Sequence, residues 1–141
     1  MKWFFDTSVL IPVFMEDHRH HELSLAVFAL ANKKDACCAA HSLAEVYASM
    51  TRLPGRYRLS GDQVLLLLEA IEERLTVIGL ETHEYYSAIK EAAGNGIFGG
   101  TIYDALLARC ALKAQAATIY TWNVEHFRRM GSEVAKRVKS P

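Results

Sequence analysis

Oxygen-bearing side chains stand close to the ends of the short apolar segments of this sequence, and they are Asp6, Glu45, Asp104 and Asn123. Sites in open parallel sheets form at the carboxyl ends of strands, so these residues are candidates for one common site. Several carboxylates at one point repel each other unless a divalent cation neutralises them. Two such ions about 4 Å apart can activate a water and clamp a phosphodiester without any protein nucleophile. The pattern therefore predicts a metal site.

Each of these residues also has a purely structural interpretation. Asp6 fits the N-cap of a first helix, and Glu45 fits a solvated helix surface. Asp104 comes three residues after Thr101, which is the spacing of a capping box, with Asp in place of the usual Glu or Gln. Asn123 fits the end of a strand or the cap of the next turn. The metal interpretation depends on all four residues falling at strand exits.

The elements that must position these residues alternate between strand and helix along the chain. Predicted strands are short apolar runs over residues 3–5, 36–40, 76–78 and 118–121. Helical periodicity, capping residues and Pro or Gly stops mark the segments between them. This alternation predicts an α/β fold, with a mainly parallel central sheet of four or five strands and helices on both faces. We expect one domain over residues 1–141.

The predicted helices differ in how their apolar residues are arranged. A helix over residues 20–33 has a stripe predicted to be buried, which is Leu23, Val27, Leu30 and Ala31. The helix that carries Glu45 has a second such stripe, which is Leu43, Val46, Tyr47 and Met50. The helix from Gln63 to Leu75 is apolar nearly all round, which predicts that another chain covers part of it. We expect a further apolar surface at Leu10, Val13 and Phe14.

Composition narrows the class of protein. The chain of 141 residues is 51% hydrophobic and 23% charged, as expected for a globular domain. Sixteen basic residues balance sixteen acidic ones, which argues against a purely electrostatic binder of nucleic acid. Phosphates can still be held through bound metal ions, whose charge a sequence does not show. Three cysteines and no signal or membrane-spanning segment predict reduced thiols and a cytoplasmic protein.

Several other residues have two interpretations each. The turn with His18, His20 and His21 has none of the usual zinc spacings, so a solvated turn is the preferred interpretation. Arg52 and Arg56 are candidate RNA contacts or simply solubilising residues. Trp122 can stack on a base or pack in the core, and its position at a strand end favours packing.

Four segments together resemble PIN-domain ribonucleases, most closely VapC-like toxins of type II toxin–antitoxin pairs; they are FFDTSVL, SLAEVYASMTR, GGTIYDALLARCA and IYTWNVEHF. The resemblance implies an endoribonuclease that uses Mg²⁺ or Mn²⁺ held by acidic residues. The positions that match the three principal acids of the family are Asp6, Glu45 and Asp104, of which we predict Asp6 and Asp104 to be metal ligands. The matching supporting hydroxyls are Thr7, Ser8 and Thr121.

Asn123 matches a fourth catalytic position at which the family often has Asp, and Glu125 is a nearby substitute acid. The resemblance also implies a homodimer and a small antitoxin-like protein partner, whose segment crosses a helical groove. An alternative is a PIN scaffold of weakened activity that binds RNA or protein without cleaving. An aspartate-nucleophile phosphatase is a further alternative, but it usually has a second acid two residues after the first, where this chain has Ser8.

Overall fold

Five parallel strands form one sheet in the computed structural model, which describes residues 1–141. The strands are β1 (Trp3–Phe5), β2 (Ala36–Ala39), β3 (Thr76–Ile78), β4 (Thr118–Tyr120) and β5 (Val138–Lys139). Their order across the sheet is β3-β2-β1-β4-β5, and every neighbouring pair is parallel. The predicted α/β class and parallel sheet are therefore confirmed.

Eight helices connect and follow the strands. They are α1 (Thr7–Val13), α2 (His21–Leu30), α3 (Ala40–Thr51), α4 (Gly61–Arg74), α5 (Thr82–Gly94), α6 (Thr101–Lys113), α7 (Val124–Arg128) and α8 (Ser132–Ala135). A single 3₁₀ turn, Gly55–Tyr57, follows Pro54. Helix α4 begins with a complete capping box, in which Ser60 and Gln63 exchange hydrogen bonds.

Helices cover both faces of the sheet. Phe5 and Cys38 point into an apolar cluster with α1, α3 and α4, whereas Phe4 and Cys37 point into a second cluster with α6 and α7. This alternation follows from the pleat, which sends successive side chains of a strand to opposite faces. Strands buried on both faces need continuous apolar sequences, which explains Trp3-Phe4-Phe5 and the small residues of β2.

The predicted buried stripe of α2 is correct for Val27 and Ala31 and wrong for its two leucines. Leu23 and Leu30 are exposed, Leu30 by 71%, whereas Ser24 and Phe28 are the buried residues of this helix. The buried face therefore combines Val27 and Ala31 with Ser24 and Phe28 in place of the two leucines. Ser24 is stable in the interior because its hydroxyl oxygen accepts a hydrogen bond of 2.9 Å from Trp122 Nε1.

Apolar residues of the other helices follow the predictions in part. Val46 and Met50 of α3 are buried, but Tyr47 is exposed, against the prediction. The expected apolar surface on α1 is also wrong, because Leu10 and Val13 are buried in the core. Helix α4 has apolar residues on more than one side, since it buries Val64 and Ile71 and exposes Leu65 and Leu66, and its coverage by another chain stays a prediction. None of the eight helices has the length and apolar character that crossing a membrane requires.

Candidate active site

The strand order has its switch point at β1 and β4. The chain runs outward from β1 to β2 and β3, then returns to the other side of β1 to form β4 and β5. Open α/β sheets bind ligands in the crevice at such a point, outside the carboxyl ends of the strands. Asp6, the residue after β1, donates its backbone N–H to Tyr120 O at the end of β4, at 2.9 Å. Asp6 thus lies at the switch point itself.

The Asp6 carboxylate is buried and held by hydroxyl groups. Its side chain is 2% exposed, and its Oδ2 accepts hydrogen bonds from Ser8 Oγ at 2.6 Å and Thr121 Oγ1 at 2.7 Å. Asp6 occupies the N-cap position of α1, but its side chain makes no capping hydrogen bond. Helix capping alone therefore does not account for the buried Asp6 carboxylate. The carboxylate is instead tied to residues on both sides of the switch point.

Glu45 lies on the first turns of α3, after β2. It is half-buried rather than solvated, because Thr7 Oγ1 donates a hydrogen bond of 2.9 Å to Glu45 Oε1. Ser42 Oγ, also buried, lies 2.9 Å from the same Thr7 hydroxyl. Thr7 directly follows Asp6, so this contact brings Glu45 to the same edge of the sheet. The alternative interpretation of Glu45 as a solvated surface residue is therefore wrong.

Asp104 lies in the first turns of α6. This helix begins after Gly100 without any side-chain cap, so Thr101 and Asp104 do not form a capping box. The Asp104 side chain instead faces α7, where Oδ2 lies 3.4 Å from His126 Nδ1. The capping interpretation of Asp104 is therefore also wrong.

The three carboxylates act on each other electrostatically. Burial raises the pKa of Asp6, although its hydrogen bonds from Ser8 and Thr121 oppose this. Burial also raises the pKa of Glu45, and the charge of Asp6 adds to that effect. Asp104 has its pKa raised to about 6, by burial first and then by the charges of Asp6 and Glu45, against the opposing effect of His126. Like charges at close range disfavour joint ionisation. The Thr7 contact places Glu45 beside Asp6, and the charges of both act on Asp104, so we call the three acids the acid cluster.

Thr121 connects this cluster to Asn123. Besides donating to Asp6, the buried Thr121 hydroxyl accepts a hydrogen bond of 2.9 Å from the Asn123 backbone N–H. Asn123 occupies the N-cap position of α7, makes no capping hydrogen bond through its side chain, and is exposed. Glu125 is also exposed, and its carboxylate pairs with Arg128 at 2.7 Å. Asn123 therefore lies beside the cluster, whereas Glu125 is engaged elsewhere.

Trp122 packs against the core cluster of α1 and α3, as predicted. Its ring stacks on His20 with centroids 3.7 Å apart, and its backbone N–H donates to Ser8 Oγ at 2.9 Å. His21 Nδ1 lies 2.7 Å from Pro12 O. The turn with His18, His20 and His21 thus packs against the segment that directly follows β4.

The two candidate RNA-contact arginines, Arg52 and Arg56, lie outside the hydrogen bonds of the acid cluster. Arg52 is exposed just after α3, and Arg56 donates a hydrogen bond of 3.0 Å to Tyr57 OH. Arg56 and Tyr57 line a groove of about 620 Å³ together with Phe14. None of the three clustered acids lines this groove, so a contact between these arginines and RNA remains a prediction.

Sequence reasoning missed three residues around the acids. His126 contacts Asp104 from α7, His41 lowers the pKa of Glu45, and the His41 ring stacks on Tyr103 with centroids 5.0 Å apart. His41 precedes Glu45 by four residues, which places both on one helix face and was readable from the sequence. The position of His126 next to Asp104 was not, because it requires α7 to pack against α6.

The donor set is suited to a hard cation. Carboxylate oxygens are the ligands that Mg²⁺ and Mn²⁺ prefer, and the negative charges of Asp6 and Asp104 destabilise each other without a cation. No three acidic, histidine or cysteine side chains form a ready-made cage for one ion. The residues present fit such an ion through two carboxylates, because Mg²⁺ usually takes one or two and keeps several waters.

Comparison with known proteins agrees with this geometry. Residues 3–133 match the PIN domain family. Ribonuclease VapC27 of Mycobacterium tuberculosis is 36% identical over 112 residues, which cover 79% of this chain and 77% of the relative.

Two solved structures show the same fold. VapC20 of Mycobacterium tuberculosis, a sarcin-ricin loop cleaving toxin, is 13% identical with a TM-score of 0.74, over 94% of this chain and 98% of the other. VapBC2 from Rickettsia felis, bound to a DNA fragment from its promoter, is 19% identical with a TM-score of 0.67, over 99% of this chain and 98% of the other. The family match covers nearly all of the chain, and the parallel sheet and the acids at the switch point agree with it. The chain therefore belongs to the PIN domain family and is VapC-like.

Proposed function

We propose that this protein is a metal-dependent endoribonuclease that hydrolyses RNA phosphodiester bonds and acts as the toxin of a toxin–antitoxin pair. The observation that carries the proposal is the cluster of Asp6, Glu45 and Asp104 at the switch point of the sheet, where burial raises the pKa of all three acids and the charges of Asp6 and Glu45 add to it at Asp104. Such a cluster gains stability from a divalent cation. The name of the relative VapC27, a ribonuclease, supports RNA as the substrate.

Asp6 and Asp104 are the residues proposed to hold Mg²⁺ or Mn²⁺. When bound, the cation would neutralise charge on the phosphodiester and lower the pKa of a water molecule. Ser8 and Thr121 fix the Asp6 carboxylate by their hydrogen bonds, so it needs no reorientation when substrate arrives. Thr7 fixes Glu45 in the same way. Glu45 is proposed to accept a proton from the attacking water, because its raised pKa makes it a stronger base.

Purified protein incubated with a panel of RNAs tests this proposal. We expect cleavage with Mg²⁺ or Mn²⁺ and none in a chelator. Asp6→Ala is expected to lower the cleavage rate about a hundredfold or more, since loss of even an outer-shell partner costs 10- to about 100-fold. Glu125→Gln is the matched control and should cleave normally, because the Glu125 carboxylate pairs with Arg128 outside the cluster.

Cleavage that is equal in wild type and Asp6→Ala would contradict the catalytic assignment. RNA binding without any cleavage, with or without metal, would instead favour the alternative of a PIN scaffold of weakened activity. Asn123 is the residue that favours this alternative, because an amide contributes no negative charge to a second metal.

The protein is proposed to form a homodimer through α4. Leu65 and Leu66 lie on the solvent side of this helix, and Leu66 is 64% exposed. Apolar residues beside each other on one helix mark an interaction surface more strongly than single exposed ones do. A second copy of the chain would cover this side of α4.

We expect a dimer in sedimentation velocity at micromolar concentration, and a monomer for Leu66→Lys. Leu30→Lys on α2 changes a similarly exposed leucine and should stay dimeric. A wild-type protein that sediments as a monomer would contradict the proposal.

A small antitoxin-like protein is the second proposed partner. The groove of about 620 Å³ beside Phe14, Met50 and Leu53 offers an apolar site for a segment of that partner. Two acidic residues, Glu16 and Asp17, line the groove against one arginine, Arg56, and this excess of negative charge favours a segment with basic side chains. An arginine from such a segment, if it reached the acid cluster, would compete with metal for the carboxylates.

A further inference from the structure

A cavity of about 190 Å³ lies beside the first turn of α6, the helix that carries Asp104. Two of its lining residues connect it to Asp104. Thr101 precedes Asp104 by three residues, so both lie on one face of α6. His126 lines the cavity and also lies 3.4 Å from Asp104 Oδ2. A molecule in this cavity would therefore be adjacent to Asp104.

Phe98 lines the cavity and is 80% exposed, the largest exposed fraction of any large apolar side chain in the protein. It lies on the loop between α5 and α6. Gly96 and Gly99 flank it with φ of +68° and +60°, a conformation that side chains disfavour. The loop thus presents an aromatic ring that no other part of the chain covers. Exposed aromatic rings are what nucleobases stack on in single-strand binders.

The cavity also contains a free positive charge. Arg129 lines it and forms no salt bridge, whereas its neighbour Arg128 pairs with Glu125 at 2.7 Å. The chain as a whole has no net charge. The unpaired Arg129 therefore attracts anions locally and is not part of a general basic surface. A planar ring and a free guanidinium together match a base and a phosphate.

We propose that this cavity binds one nucleotide of the RNA next to the scissile phosphate, with Phe98 stacked on the base and Arg129 on a phosphate. The inference rests on the proposed ribonuclease function and adds to it a site that positions the substrate. Because neither Phe98 nor Arg129 belongs to the acid cluster, replacing either residue should weaken RNA binding and leave the chemical step intact.

Binding is tested by fluorescence anisotropy with a short labelled single-stranded RNA. The protein carries Asp6→Asn to prevent cleavage, and a gel checks that the RNA stays intact. Adding Phe98→Ala should weaken binding about tenfold, since stacking of one base has about this effect, and Phe98→Tyr should restore it. Tyr86→Ala, which removes a 69% exposed ring on α5, is the matched control and should change nothing. Arg129→Ala should reduce the slope of log affinity against log salt by about 0.7, and Arg128→Ala should leave it unchanged.

Cleavage kinetics separate this inference from the proposed function. With Asp6 intact, Phe98→Ala should raise KM and leave kcat close to wild type. If wild type cleaves RNA and Phe98→Ala and Arg129→Ala both retain its KM and its affinity, the nucleotide site is wrong and the ribonuclease stands. If wild type neither binds nor cleaves any RNA of the panel, both proposals are wrong.

Discussion

Replacing Asp104 with asparagine is expected to stabilise the metal-free protein and, at the same time, to lower RNA cleavage about a hundredfold or more. Cleavage falls because the change removes a negative charge from a proposed metal ligand. Stability rises because burial, and then the charges of Asp6 and Glu45, disfavour the ionised Asp104 carboxylate and raise its pKa to about 6 from an ordinary value of 3.8. About two pKa units correspond to an increase in the free energy of unfolding of up to about 3 kcal/mol at pH 7.

The pH dependence of stability gives this prediction its sign. A carboxyl group whose pKa is raised on folding binds more protons in the folded state, so it stabilises the protein at low pH. In a chelator, this contribution of Asp104 is present below pH 3.8 and is lost as the pH rises through about 6. Denaturant unfolding of wild type between these pH values should therefore show a decrease in stability that is smaller in Asp104→Asn.

Asp62→Asn is the matched control for this variant. Asp62 lies in the first turn of α4 and is exposed, away from the acid cluster. Its charge stabilises the helix N-terminus, so its loss should lower stability by at most about 1 kcal/mol and leave cleavage unchanged. The two substitutions thus have opposite effects on stability. Cleavage by Asp104→Asn at the wild-type rate, at the same metal concentration, would contradict the assignment of Asp104 as a ligand.

Millimolar Mg²⁺ or Mn²⁺ is expected to raise the melting temperature of wild type and to release protons. An ion at about ten times its dissociation constant stabilises the folded state by about 1.4 kcal/mol, which corresponds to a rise of about 3 °C or more. Protons are released near pH 6 because Asp104 is partly protonated there and must ionise to bind metal.

Differential scanning fluorimetry and titration calorimetry in two buffers of different ionisation enthalpy measure these effects. KCl at matched ionic strength controls for screening. Asp62→Asn should respond to the ions as wild type does, and Asp104→Asn should respond much less. A melting temperature that is unchanged by Mg²⁺ and Mn²⁺ in both wild type and Asp104→Asn would contradict the metal site.

Helix faces show where sequence reasoning reached its limit. The existence of α2 was predictable from its apolar content, but its buried face is Ser24 and Phe28, not Leu23 and Leu30. Burial of a serine depends on its partner Trp122, which is 98 residues away in the sequence. Leu10 and Val13 were expected at a surface, but α3 packs on α1 and both residues are buried. A periodic pattern indicates that a helix has a buried side, whereas its neighbours decide which side that is.

The sequence by itself determined the fold class and predicted the three acids as site residues, because both inferences start from short local segments of the chain. Apolar runs buried on both faces predict strands of a parallel sheet. Asp6 directly follows such a strand, whereas Glu45 and Asp104 lie on the helices α3 and α6. Only the tertiary structure decided what those acids contact. Pairing of β4 beside β1 brings Thr121 to Asp6 across 115 residues, and packing of α7 on α6 brings His126 to Asp104. These contacts depend on strand order and helix packing, which arise from the whole core and not from any local pattern.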